Sequence, residues 1–503
     1  MNRIVLDQPL AWSSVAQIAT QGARLELAAP AKARIKAANA VVRSLAQKNI
    51  RAYGVNTGVG ALSDATIPPA LQRTLSRNIL MSHAVGVGAP LSEAQTRAIM
   101  VASINNFAHG YSGLRLVVVE TLVALLNAGC FPLAPRQGSL GYLSHAAHIN
   151  LALIGHGEVM LAGERLPAAR ALEQLGLEPL ELEAKEGLCL VNGTPCVTGL
   201  ACLALDEAHR LMDWADAVSA MTFEIQHCQL DAIDAAVVAL RPSPGLNMVA
   251  ATLRNLLADS NILAKAVGRR TQDALSLRAI PHIHGAARDS LAAVADVVSL
   301  ELASVTDNPA VSGSADAPVV RSQAHAVGTA ISLAMDQMAI VLAQLGMMSE
   351  RRLDRLVNPL VSGLPAFLAE PGGVASGFMI AQYAAASLVG ENRLLAAPAS
   401  LGGGVTSGLQ EDVLSHGTSA ALKTLDILAN LRAILAIEYL AACQAYDILE
   451  GVPAPRTGTL YRRLRDTIST YADDRPLSDD IAAACAFITA HKPQDILSEA
   501  GLT

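Results

Sequence analysis

From about Glu411 to Leu449 the sequence keeps a helix-compatible pattern for close to 39 residues, roughly 58 Å at 1.5 Å per residue. A helix of that length needs long partners to bury its apolar side, and the chain supplies them. Similar patterns run from Ala31 to Gln47, from roughly His325 to Leu356 and from Gly377 to Leu395. Another long helix follows Thr194, where Leu205, Ala208, Met212 and Ala215 recur at helical spacing and Asp206, Glu207 and Arg210 take another face. Hydrophobic residues make up 52% of the chain but aromatic ones only 3%, so the packing must come largely from Ala and Leu. These features predict an all-α fold, an elongated bundle of long helices with a small N-terminal mixed region.

Strand-like character is confined to the first few residues and to Gly157–Leu180. The expected organisation is a region 1–200 carrying the glycine-rich loops, a central bundle 201–452 and a helical cap 453–503. Arg241-Pro242-Ser243-Pro244-Gly245 makes a hard break inside the second. The sequence contains no internal repeat and no low-complexity tract.

Of 503 residues, 37 are Lys or Arg and 44 are Asp or Glu, a net charge of −7 without basic runs, which argues against a nucleic-acid partner. Leu116–Leu126 carries Glu120, and Ile427–Ala442 carries Arg432 and Glu438, so neither reads as a membrane span. The opening Met1-Asn2-Arg3-Ile4-Val5-Leu6-Asp7 lacks the apolar core of a signal peptide. Seven cysteines without a C-x-x-C pair read as reduced, mostly buried thiols of a cytoplasmic protein, and no metal site is expected. The apolar excess exceeds what one monomer needs, so burial between copies is expected.

Two glycine-rich stretches stand out. Tyr53-Gly54-Val55-Asn56-Thr57-Gly58-Val59-Gly60 cannot hold a regular helix and reads as a mobile loop carrying one tyrosine. Gly138-Ser139-Leu140-Gly141-Tyr142-Leu143-Ser144 is a tight turn feeding a helix N-terminus, where unpaired N–H groups point outward. Further polar groups suited to binding are Asn192 before Gly193-Thr194, and Gln272 and Arg278 in Gln272-Asp273-Ala274-Leu275-Ser276-Leu277-Arg278. Arg278 offers a planar fork for a carboxylate. Glu411, in Gln410-Glu411-Asp412, reads on its own as a first-turn acid on the helix dipole, and His83 as a helix-end residue.

Over nearly its whole length this set of motifs resembles the histidine and aromatic amino acid ammonia-lyase family, closest to its histidine branch. The resemblance implies a homotetramer with composite active sites and a small amino acid as substrate. It implies that the α-amino group of histidine, or of a related aromatic amino acid, is eliminated to an α,β-unsaturated, urocanate-type acid. By resemblance Tyr53 is the base for the β-proton, Arg278 binds the substrate carboxylate with Gln272 in the site, and Asn192 contacts the carboxylate and the prosthetic group. Glu411 and His83 recognise the ring, since a carboxylate suits an imidazole N–H and gives nothing to phenyl.

The resemblance also implies a cofactor, the family's electrophile methylidene-imidazolone, formed autocatalytically by cyclisation of Ala-Ser-Gly and expected between Gly141 and Tyr142. The triplet does not stand in this sequence. Tyr142 replaces the Asp that follows it, His145 a Pro, Leu275 a Tyr, and Ala324 the aromatic of Gly-Asn-Phe-His; Leu275 and Ala324 are thus expected in the pocket wall. Two other readings stay open. One is a member of the family that lacks the electrophile and expels a better leaving group, as ergothionase expels trimethylamine from a histidine betaine. The other is a catalytically silent paralogue, which a turnover assay separates from both enzymes.

Overall fold

The computed structural model describes residues 3–502, and the fold is all-α, with long helices at Pro195–Ile225, Ile280–Ala303, Thr329–Val357 and Gly417–Ile448. The last is 32 residues, shorter than the sequence pattern suggests, because His416 takes a left-handed backbone (φ 53°) and Glu411 pairs across to Thr406 in an extended bridge. Glu411 is therefore on a loop, not in a first helical turn. Residues 325–328 likewise stay outside the helix that begins at Thr329. Ile280–Ala303 has no counterpart in the sequence reading, since Pro281 and Gly285 interrupt its pattern.

Strands are short. Arg3–Leu6 pairs in parallel with Arg24–Leu27, Val87–Pro90 pairs with Pro135–Gln137, and Ala310–Gly313 forms a hairpin with Pro318–Arg321. The segment after Gly157 gives the hairpin Glu158–Leu161/Glu164–Pro167, joined by Phe131–Pro132.

The chain divides into two compact units, one of residues 1–206, 294–336 and 398–422, the other of 207–293, 337–397 and 423–503. In the first, the buried Arg97 guanidinium donates to Ile18 O, Ala19 O and Leu126 O at 2.9–3.2 Å, fastening three helices through carbonyls at the C-terminal ends of two of them. Gly199 lets two helices approach closely, because a Cβ there would lie 2.5 Å from Ala98 O.

The second unit contains a buried charged network fed by all four long helices. Arg352 grips Glu438 at 2.7 and 2.8 Å, and Thr222 and Ser349 donate to the same carboxylate. Asp216 takes His284 Nδ1 at 2.7 Å and the Arg288 guanidinium at 2.5 and 3.1 Å. Trp214 packs on Tyr439 and Phe487 and donates its indole N–H to Ile488 O and His491 O.

Two helices, Glu186–Ile225 and Thr329–Val357, are long and apolar enough to cross a membrane by composition, which the sequence reading did not pick out. The most apolar window of the first is wholly buried, and 61% of that of the second. All seven cysteines are free, six of them buried.

A buried ion pair costs most when only one partner is removed. Arg352→Met should lower stability by about 3–5 kcal/mol in chemical denaturation. Arg352→Met combined with Glu438→Leu should recover much of that loss, and equal losses in both would show that the charge pairing is not what matters there.

Candidate active site

The Tyr53 loop is buried and cross-braced, contrary to the mobile loop expected. Residues 54–58 are buried, Asn56 Oδ1 accepts from Ala52 N at 2.9 Å, and Thr57 Oγ1 accepts from Gly54 N at 3.1 Å. This bracing leaves Tyr53 half-buried, its phenol oxygen accepting from Gly60 N at 3.1 Å. Burial raises the phenol's pKa above the usual 10; the Gly60 N–H pulls it down, and the nearby Glu411 carboxylate pushes it up. The net upward shift leaves Tyr53 neutral at pH 7. The loop meets residues 406–411, where Ser407 Oγ accepts from Ala61 N at 3.3 Å.

The Gly138 turn arrives at the same place. Gly141 adopts φ 144°, and a Cβ there would lie 2.9 Å from Ser415 Oγ, so only glycine fits. Leu140 O accepts from His416 N at 2.9 Å, and Gly141 O from Thr418 Oγ1 at 2.8 Å. Leu143 N donates to Val191 O at 3.1 Å, and Ser139 Oγ donates to Tyr142 O at 3.0 Å.

Leu143 itself stands at φ 77°, ψ −75°, with Ser144 N donating to Tyr142 O at 3.2 Å. That is a γ-turn of the rare, strained hand, costing about 1–3 kcal/mol. It brings the half-buried Tyr142 ring to the Tyr53 loop, with its hydroxyl 3.3 Å from Glu411 Oε2, a long hydrogen bond. Burial, Glu411 and then Tyr53 push the Tyr142 phenol up to about 12, so it keeps its proton. Tyr53, Tyr142 and Glu411 thus form one group.

Asn192 follows Val191 and is buried, its amide nitrogen donating to Asp307 Oδ1 at 3.2 Å and Asn308 O at 2.6 Å. The fully buried Lys185 completes this cluster, with Nζ 3.2 Å from Asp307 Oδ2 and 2.7 Å from Ser112 O. Only the amide oxygen of Asn192 is left to face a ligand. His83 ends the helix Gln72–His83 with Nδ1 3.1 Å from Ser82 Oγ, and burial lowers its pKa, leaving it neutral at pH 7. Ala324 is exposed.

In the other unit, Arg278 ends a four-residue helix, Leu275–Arg278. With its amide oxygen turned to the guanidinium, Gln272 accepts from Arg278 Nε at 3.3 Å and from both terminal nitrogens. The two residues are together, while Leu275 is 66% exposed.

A model of the aromatic amino acid lyase family matches residues 10–466. The chain belongs to that family. It stands in the histidine ammonia-lyase branch: the enzyme of that name from Symbiobacterium thermophilum is 42% identical over 492 residues, 97% of each chain. The crystal structure of histidine ammonia-lyase from Trypanosoma cruzi superposes with a TM-score of 0.91 at 33% identity, over 99% of this chain and 95% of that one. Ergothionase from Treponema denticola, an ergothioneine-degrading enzyme, superposes at 0.90 with 26% identity, over 97% and 99%.

The family uses methylidene-imidazolone, but the residues present at this turn do not fit it. Gly141 joins directly to Tyr142. The two serines at hand stand as Gly-Ser-Leu and Leu-Ser-His, not Ala-Ser-Gly, and Ser144 already begins a helix. Among the described residues no cluster of His, Cys, Asp and Glu is arranged to hold a metal ion. Sequence reading missed Ser139, Ser407 and Thr418, whose hydroxyls shape the site; ordinary Ser and Thr in loops carry no signal of such contacts. It placed Tyr142 only beside a prosthetic group, whereas its hydroxyl reaches Glu411.

Because the Tyr53 phenol titrates above 10, its basic form grows as pH rises. If Tyr53 is the base, Tyr53→Phe should cut kcat/KM by about 10²–10⁴ and should remove the phenol's contribution to the pH profile. A profile unchanged by Tyr53→Phe would exclude the phenol as base.

Proposed function

We propose that the chain is a carbon–nitrogen lyase that removes the α-amino group of histidine, or of a close imidazole-bearing relative, as ammonia and leaves the α,β-unsaturated acid. The observation that carries this is the Glu411 carboxylate beside Tyr53 and Tyr142. A carboxylate accepts an imidazole N–H, whereas against a phenyl ring it would be desolvated for no return. The 42% identity to a histidine ammonia-lyase supports the same substrate.

Each residue then has a task. Tyr53, as phenolate, takes the Cβ proton. Glu411 holds the ring, with His83 beside it in recognition. Arg278 clamps the substrate carboxylate, its fork held by Gln272. Asn192 turns its amide oxygen to the α-ammonium, and Leu275 and Ala324 form the wall that faces the ring. When present in the family, methylidene-imidazolone supplies an electrophile; the Ala-Ser-Gly needed to form it is what this chain lacks.

The enzyme works as a homotetramer whose sites are completed by association of copies. In support, Leu333, Ile340 and Met347 recur every seven residues on one helix and are 52%, 51% and 40% exposed, an apolar stripe that a second copy would cover. Free thiols fit a cytoplasmic location, and the acidic charge fits neither nucleic acid nor membrane as partner.

Purified protein should form the imidazole acrylate from histidine, followed by its ultraviolet absorbance. Glu411→Gln should lower kcat/KM for histidine by about 10- to 100-fold, the worth of a hydrogen bond to a charged group. Faster turnover of phenylalanine than histidine by the native protein would refute the assignment.

A further inference from the structure

We propose that Tyr142 takes the electrophile's place as a substrate-facing residue, and that the elimination runs without a prosthetic electrophile, the substrate's own protonated imidazole acidifying the Cβ proton. This rests on the reading of the site as a lyase for imidazole amino acids, and it deepens that reading by fixing the substrate class.

The turn is complete as it stands. Its peptide groups from Leu140 to Leu143 are bonded to His416, Thr418 and Val191, and Ser139 closes it from within. The strained γ-turn at Leu143 is the feature that delivers Tyr142 to Glu411 and Tyr53. Strain of this kind persists where the surrounding structure enforces it, and it concentrates at working sites. The result is a phenol donor and a carboxylate side by side, a pair suited to a cationic ring. The carboxylate favours the protonated imidazole, and the Tyr142 O–H fixes the carboxylate's orientation.

A protonated imidazole changes the chemistry at Cβ. When Tyr53 phenolate takes the Cβ proton, the C–H pair forms the Cα–Cβ double bond as the Cα–N bond breaks and the amine leaves with its electrons; the ring cation beside Cβ makes that proton more acidic. The products are a protonated imidazole acrylate, a neutral amine and Tyr53 phenol, and nothing is oxidised or reduced. The substrate class is therefore an α-ammonium acid with a protonatable ring on Cβ. A primary ammonium and a fully alkylated one share this chemistry, and the amine released tells them apart.

The test combines intact-protein mass spectrometry with turnover of histidine and of its α-N-trimethyl derivative, before and after borohydride, a reagent that reduces the family's electrophile. The expected mass is that of the 503 residues, with or without Met1, and at least one substrate should give imidazole acrylate at a rate changed less than twofold by borohydride. Tyr142→Phe should raise KM about tenfold at unchanged thermal stability, because it keeps the ring and loses the bond to Glu411. Extra mass at the turn, or loss of activity to borohydride, would overturn the proposal while leaving the lyase reading intact. Unchanged KM and kcat in Tyr142→Phe would remove Tyr142 from the site. No acrylate from either substrate would instead defeat the lyase reading, and the ring-assisted step with it.

Discussion

The peptide groups of residues 140–143 are the fixed point of the site. Three separate segments hold them: Val191 on one side, His416 and Thr418 on another, and the Ser139 hydroxyl within the turn. Those bonds force Gly141 into a conformation open only to glycine and Leu143 into a γ-turn that a leucine avoids. The strain of about 1–3 kcal/mol is small beside four well-made hydrogen bonds, so the turn holds. The turn thereby sets where Tyr142 stands, beside Glu411 and near Tyr53.

Around that point the protein spends polar groups freely. Lys185, Asp307 and Asn192 lie buried behind the turn and satisfy one another. Asn56 and Thr57 lock the Tyr53 loop, so the phenol is presented by a braced segment. The consequence is a phenol whose burial works against its ionisation, offset only partly by the Gly60 N–H. Within one chain the site remains half-open at Tyr53, Tyr142 and Glu411. A covering surface would change the electrostatics of all three.

Much of this was legible in the sequence, and the failures have physical reasons. The long helices announced themselves through Ala and Leu at helical spacing, and the glycine-rich loops marked the site. Glu411 was misplaced because helical periodicity continues through residues whose backbone is diverted at His416. The Ile280–Ala303 helix went unread because its Pro and Gly residues look like breaks, although Gly285 there serves close approach to Leu246. Arg278 sits in a helix too short to have a period. Nothing local says that Tyr142 reaches Glu411, 269 residues away. The tyrosine loop looked mobile because glycine content signals freedom, while the bracing comes from side chains whose partners the sequence does not reveal.

The chain therefore differs from the family pattern at its centre while keeping Tyr53, Glu411 and Arg278, the residues proposed as base, ring acceptor and clamp. The most direct measurement is a crystal structure of the enzyme with imidazole acrylate bound. The Gly141–Tyr142 peptide should be unbroken, with the product ring held by Glu411 and the Tyr142 ring against the product. Density for a cyclised insertion between Gly141 and Tyr142, or a product ring lying away from Glu411, would contradict that arrangement.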